Sequence, residues 1–267
     1  MDLRLSGSIA VVTGASKGIG LAVTRTLLQE GARVVATSRR RTPELEALDG
    51  ELLHVVADLM ESGAPAHVIA RAVEHFGGLD ILVNNAGGPP PGTKLPQFGF
   101  LDLSDDGWHA MLEFNLLSAV RACRAAIPLL VERGGGSIVN ITSGHARQPS
   151  AVNVDYGAAK AALANLTKAL SEEFGAQGVR VNSVCPGPVD TPWWTEEGGA
   201  ADIIAAQTGA DRATLMTTVA PEMMRLVTGR LATPQEMADA VVLLASPRSA
   251  STTGTQVVVD SGFLKAS

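Results

Sequence analysis

Aromatic residues are scarce in this chain: among 267 residues there are six phenylalanines, three tryptophans and a single tyrosine, Tyr156. Cysteine is scarcer than in any disulfide scaffold, with only Cys123 and Cys185, each inside an apolar stretch. Two such thiols exclude a disulfide framework and predict reduced, buried side chains of a cytoplasmic protein. Neither lies in a Cys/His/Asp setting that would make it a nucleophile. Positive charge is not in excess. Lys plus Arg number 21 against 27 Asp plus Glu, a formal net charge of −6, which offers nothing to nucleic acid or an anionic membrane. The N-terminal "MDLRLSGSIAVVTGAS" has neither a basic start nor a long apolar region, so no signal peptide is expected. No uninterrupted apolar run approaches the ~20 residues that a bilayer requires. His54, His67, His75 and His109 show no metal-ligand spacing with one another or with cysteine, so no metal site is predicted.

What is present is rhythm. Short β-branched runs at 8–13, 32–38, 51–58, 79–85, 136–143, 179–186 and 255–260 alternate with amphipathic segments at 18–30, 64–76, 105–131 and 154–175. Strands that read almost wholly apolar are buried on both faces, which points to a parallel sheet. The alternation predicts one doubly wound α/β domain over 1–267, with a central parallel sheet of about seven strands. Gly31, Gly77, Gly78 and Gly178 stand at helix-to-strand junctions, where a left-handed cap suits glycine. Two segments break the pattern. "GGPPPGTKLPQFGF" (87–100) is too rich in proline and glycine for helix or inner strand, and 190–230 reads as short helices joined by loops.

Directly after the first strand, "TGASKGIG" brings Gly14, Ser16, Lys17, Gly18, Ile19 and Gly20 into a turn that opens a helix. Such a turn lets backbone N–H groups and the positive end of the helix dipole meet a pyrophosphate. The second strand ends in Ser38 followed by Arg39, Arg40 and Arg41, with no carboxylate for a ribose 2′-hydroxyl. A guanidinium holds a 2′-phosphate in a bidentate grip, so Arg39 beside Ser38, with Lys17, predicts NADP(H). Arg40 and Arg41 read as solvated loop.

Tyr156 and Lys160 are four residues apart, on one face of a helix. Free tyrosine titrates near pH ~10; a neighbouring ammonium, with the positive charge of an oxidised nicotinamide, favours phenolate, lowers that value and makes the phenol an acid/base group. The plainer alternative is a core aromatic beside a surface charge.

At this point the chain resembles the short-chain dehydrogenase/reductase family in its compact single-domain Rossmann form, with a 3-oxoacyl-(acyl-carrier-protein) reductase flavour. The motifs carrying the resemblance stand in family order: "TGASKGIG", "NNAG" at 84–87, Asn115 in "FNLLS", Ser143 in "NITS", "YGAAK" and "PGPVDTP" at 186–192. The chain departs from the commonest form in lacking a serine before Lys160 and in having "DSG" near the end. The resemblance implies a catalytic set of Asn115, Ser143, Tyr156 and Lys160. Tyr156 would protonate a ketone oxygen as hydride arrives, and Ser143 would hydrogen-bond that oxygen. Lys160 would bind the nicotinamide ribose, and Asn115 would hold a water relaying protons to it. It also implies that Asn85, Ala86 and Gly87 line the adenosine ribose and that Asp58 and Leu59 flank the adenine, although Asp58 could simply cap the next element. Pro186, Gly187, Val189 and Thr191 would hold the nicotinamide carboxamide. Residues 190–230 would cover a small-molecule carbonyl substrate, with Trp193, Trp194, Ile203, Ile204, Leu215, Met216, Met223 and Met224 as an apolar lid or as its core. His145 faces substrate or is an ordinary loop histidine. Family members tend to form homotetramers through the two long helices and the last strand. The expected activity is NADPH-dependent ketone reduction. The alternatives are NAD(P)-dependent oxidation of a sterol, sugar or diol, and a nucleotide-sensing protein without catalysis.

Overall fold

Seven strands form the sheet: β1 (Ile9–Thr13), β2 (Arg33–Ser38), β3 (Leu52–Val56), β4 (Ile81–Asn84), β5 (Gly136–Ile141), β6 (Val179–Pro186) and β7 (Gln256–Val259). They lie in the order β3-β2-β1-β4-β5-β6-β7, and every pairing is parallel. The computed structural model describes residues 1–93 and 96–265; Lys94 and Leu95 of the proline-rich loop fall outside the described residues.

The reason for the parallel sheet is visible in β1, whose five residues are all buried. Ala10 and Val12 face one layer, where α1 (Gly18–Gln29) packs on the last long helix, Pro234–Ala245. Ile9 and Val11 face the other, against α3 (Ala64–Phe76) and the helix Ser118–Glu132. Alternate residues thus serve two cores, which is why the run reads as continuously apolar. The chain winds from β1 out to β3 and then returns to the far side of β1 as β4. That reversal opens a crevice at the carboxyl ends of β1 and β4, where this architecture binds ligands.

Several expectations are refined. A short helix, α2 (Pro43–Glu46), follows β2. The predicted helix at 105–131 is α4 (Asp105–Leu112), a π-helical turn at Glu113–Leu117, and α5 (Ser118–Glu132), with Pro128 inside it. By length and composition this combined segment could cross a membrane, with a mean hydropathy of 1.4 over its best window. Its Ala122, Cys123, Ala126, Ile127 and Leu130 are packed in the core beneath the sheet. Gly77 adopts φ 87° and caps α3 as expected, but Gly78 has an ordinary backbone. Its role is space: a Cβ there would stand 2.6 Å from the Arg133 guanidinium, which pairs with Asp80.

α6 (Val154–Phe174) precedes β6. The 190–230 segment forms α7 (Pro192–Thr195), α8 (Ala200–Thr208), α9 (Arg212–Thr214), a π-turn at Leu215–Val219 and α10 (Ala220–Met223). It has its own core of Trp194, Ala200, Ala201, Leu215, Ala220, Leu226 and Leu231. α11 (Pro234–Ala245) then leads to β7. Cys123 and Cys185 are free and buried, and burial pushes their thiols up to about 12 and about 11.

Candidate active site

The glycine turn is shaped by what it touches. Gly14 (φ 65°) and Gly18 (φ 55°) use backbone that favours glycine. A Cβ on Gly20 would overlap the Gly14 carbonyl and the Asn85 amide. The N-cap of α1, Lys17, makes no side-chain cap, and no acidic residue lies in the first turn. The amide groups there are left for an anion. Asn85 holds the turn from β4: its Nδ2 donates to Thr13 O (2.8 Å) and Gly14 O (3.1 Å). The backbone N–H groups of Asn85 and Ala86 both donate to Thr13 Oγ1. Asn85 is thus turned to the loop, and Ile19 packs on the α1 core. A Gly20→Ala variant is expected to lose on the order of 1–3 kcal/mol by overpacking and most of its dinucleotide binding. Thermal unfolding with and without NADPH checks both.

At the β2 end of the crevice, Thr42 Oγ1 donates to Ser16 O (2.9 Å), tying the glycine turn to the loop after β2. Nothing in the sequence marks that tie. Arg39 and Arg40 are exposed and unpaired among the described residues, whereas Arg41 pairs with Glu46 at 3.2 Å. Ser38 is 8% exposed and bonds Arg40 O and the His54 ring. Lys17 makes an ion pair with Glu196, just beyond α7, at 2.6 Å. Asp58 Oδ1 accepts the N–H of Met60 (3.0 Å) within the turn after β3, while the N-cap of α3 is Gly63, and Leu59 is buried in the second core.

The other end holds Ser143, Tyr156 and Lys160. Ser143 follows β5 and accepts the His145 N–H at 3.2 Å. Tyr156 and Lys160 lie in the first two turns of α6. Lys160 is 2% exposed; its Nζ donates to Ile141 O at 2.9 Å and sits 5.8 Å from the Tyr156 ring centroid. Burial pulls this amine down from 10.5 to about 8. Tyr156 differs from expectation. Burial raises its phenol above the ordinary value, Ser143 opposes this by a hydrogen bond, and Cys185 adds to it.

Asn115 is 1% exposed within the π-turn. Its Nδ2 donates to Gly88 O (2.9 Å) and Met111 O (3.1 Å), and its Oδ1 accepts the Gly88 N–H (2.8 Å). The side chain therefore clamps the strand-end turn rather than reaching outward. A Cβ on Gly87 would stand 2.7 Å from Lys160 Nζ and 2.8 Å from Asn115 Oδ1, which places this glycine at the lysine end. Gly187 leaves room for Asp260, Val189 is buried and bridges to Ala232, and the Thr191 methyl lies against Gly18. Pro186 ends β6.

The lid residues divide. Trp194 and Leu215 are core, Ile204, Met216 and Met224 pack on them, and Met223 is 56% exposed. Trp193 alone also reaches the cluster of Met111 and Ala159 on which Tyr156 rests. Phe263, unmarked by sequence reasoning, folds back from the tail over Gly144 and stacks on His145, with centroids 6.2 Å apart. His145 meets Tyr156 edge-on at 6.1 Å.

Reducing a carbonyl requires a proton at oxygen as hydride arrives at carbon. A phenol beside a serine, with a buried amine one turn away, can supply that proton. Together with a glycine turn whose free amides suit an anion, this fits an oxidoreductase acting on alcohol or ketone groups. The enoyl-(acyl carrier protein) reductase model of the short-chain dehydrogenases matches residues 14–264. The 2,5-dichloro-2,5-cyclohexadiene-1,4-diol dehydrogenase LinX of Sphingobium indicum is 34% identical over 269 residues, covering 98% of each chain. L-fucose dehydrogenase of Rattus norvegicus is 37% identical, over 91% of this chain and 84% of its own. L-sorbose reductase from Gluconobacter frateurii, solved with NADPH and L-sorbose, superposes with a TM-score of 0.90 at 34% identity over all of both chains. The chain belongs to the short-chain dehydrogenase/reductase family.

Proposed function

We propose that the protein is an NADPH-dependent reductase of hydroxylated ketones, with Tyr156 as general acid. The observation that carries the cofactor choice is the end of β2: Ser38 and Arg39 stand where an NAD enzyme places a carboxylate, and the Arg39 guanidinium is unpaired among the described residues. Gly14, Gly18 and Gly20 would hold the pyrophosphate, and Lys160 the nicotinamide ribose. When bound, NADPH supplies the hydride.

Tyr156 gives its proton to the carbonyl oxygen, and Ser143 donates a hydrogen bond to that same oxygen and fixes its position. Lys160, with Nζ already bonded to Ile141 O, stands behind the phenol as the next proton donor. Asn115 holds the Gly88 turn against α4 and so keeps Gly87 beneath the amine. The sugar names among the relatives support a substrate with an oxygen beside the reacting carbon, and the 1,4-diol name supports one with a second hydroxyl further off. They equally support the second reading, in which the same residues oxidise a sugar or diol. They lend less to a carrier-bound 3-oxoacyl substrate.

The deciding experiment follows NADPH and NADH consumption against ketoses, cyclic ketones, diketones and β-keto thioesters, then NADP and NAD reduction with the matching alcohols. Preference for NADH, or turnover of thioesters alone, would overturn the reading.

His145 supplies a sharper test of the substrate. Its Nδ1 is buried without a partner among the described residues, so Nε2, which makes no hydrogen bond there, is the nitrogen left for a ligand. Burial lowers the ring's pKa and keeps it neutral. A His145→Phe variant keeps the stack on Phe263 and Tyr156 but loses the donor. Its KM for a hydroxylated ketone should rise roughly 3- to 10-fold, with KM for a ketone lacking the second oxygen unchanged.

A homotetramer joined through α4–α5, α6 and β7 is also proposed. It is supported by β7, an edge strand whose four residues are only half-buried. Light scattering at the monomer mass would reject it.

A further inference from the structure

We infer that His54 is a positioning residue for the cofactor's 2′-phosphate, acting through Ser38; this rests on the NADP(H) reading above. β2 and β3 pair with Ala36 opposite His54, so the side chains of residues 54 and 38 lie on the same face, diagonally adjacent. The result is a contact of 2.8 Å between Ser38 Oγ and His54 Nε2. Ser38 Oγ also lies 2.7 Å from Arg40 O.

These two contacts fix where the protons are. A carbonyl only accepts, so the single Ser38 proton goes to Arg40 O. Nε2 must then carry a hydrogen and donate to Ser38 Oγ. In the other tautomer, Nε2 and Arg40 O would compete for one proton. The ring is held neutral by burial first and then by Arg41, with Glu46 opposing; those are the two charged groups whose fields reach it.

The arrangement is a donor relay aimed at the end of β2. An anion beside Arg39 accepts the Ser38 hydrogen once the hydroxyl turns from Arg40 O. The His54 N–H stays on the oxygen throughout and polarises the bond. A hydrogen bond to a charged acceptor is stronger than one between neutral groups, so the relay favours a 2′-phosphate over a 2′-hydroxyl. No sequence motif marks His54, because its partner comes from a neighbouring strand.

The test uses adenosine 2′,5′-bisphosphate and AMP as probes, with dissociation constants from calorimetry on the whole protein. In His54→Leu the bisphosphate should bind roughly 10- to 100-fold more weakly, with AMP unchanged. His54→Gln, whose amide donates from a similar position, should stay within a few-fold of the wild type. Ser38→Ala should show the same loss, and adding His54→Leu to it should cost nothing more, as two residues acting as a unit require. Equal weakening of both probes would show a purely structural role, and unchanged binding in His54→Leu would show no role at all. Should His54→Leu fail to fold, the Gln and Ser38→Ala arms still decide: unchanged bisphosphate binding in Ser38→Ala, or a loss in His54→Gln as large as that of Ser38→Ala, would overturn the relay. A wild type that binds NAD more tightly than NADP removes the cofactor reading itself, before any variant is made.

Discussion

Replacing Tyr156 by phenylalanine is expected to lower kcat by ~10²–10⁴, the range that a positioned proton donor contributes. Phenylalanine fills the same space beside Met111 and Ala159 and keeps the edge contact with His145. Folding and cofactor affinity should therefore be unchanged. The loss should appear equally in kcat and kcat/KM, because the removed bond forms only as charge builds on the carbonyl oxygen. Stopped-flow single turnovers with NADPH separate this step from product release. Activity within ten-fold of the wild type would remove Tyr156 from the role of acid and leave a water to be sought. The raised phenol pKa sharpens the expectation: the group is held in its proton-bearing form at neutral pH, which suits an acid in the reducing direction.

The alternation of strand and helix was legible because β1 and β4 are buried on both faces, so their sequences stay apolar up to the last residue of each strand, Thr13 and Asn84. The glycine turn was legible for a related reason. Gly20 sits where any side chain would strike Gly14 and Asn85, and no other residue fits. Contacts between distant segments were not legible. Phe263 reaches Gly144 and His145 from the tail, and Lys17 meets Glu196 across 179 positions of chain. The π-turn that buries Asn115 has no period of its own; the helical pattern at 105–131 runs through it unchanged. Within the lid, apolar residues at similar spacing went to opposite fates. Trp194 entered the lid core and Trp193 turned toward Tyr156, a choice set by how α7 docks on the glycine turn through Thr191. Roles implied by motif also shifted where a side chain found a nearer partner, as Asp58 did with Met60 and Asn115 with Gly88.

Lys160→Met is expected to remove most of the activity while making the protein more resistant to unfolding at neutral pH. The amine is 2% exposed and, among the described residues, has no carboxylate partner in contact, only the Ile141 carbonyl. Its value in the fold, about 8, lies below the ~10.4 of an unfolded lysine. The sign follows from proton counting. Between about pH 8 and ~10.4 the unfolded chain holds more protons than the fold, so stability rises with pH across that window. Below it, both states are protonated and the full penalty of about 3 kcal/mol remains. Methionine removes the penalty but leaves Ile141 O unsatisfied, which costs about 1–3 kcal/mol. The net gain at pH 7 is on the order of 1 kcal/mol, or roughly 2–4 °C in Tm for a chain of this size. Above pH ~10.4 the gain is gone and only the lost hydrogen bond remains, so the melting curves of wild type and variant should cross as pH rises. Calorimetric scans of both proteins from pH 7 upward would show the crossing. Parallel curves, or a wild type more stable at pH 7, would mean that Lys160 is charged without cost and that its place beside Tyr156 is not strained. A crossing together with lost activity would show that the site keeps a destabilising amine for what it does to the neighbouring phenol.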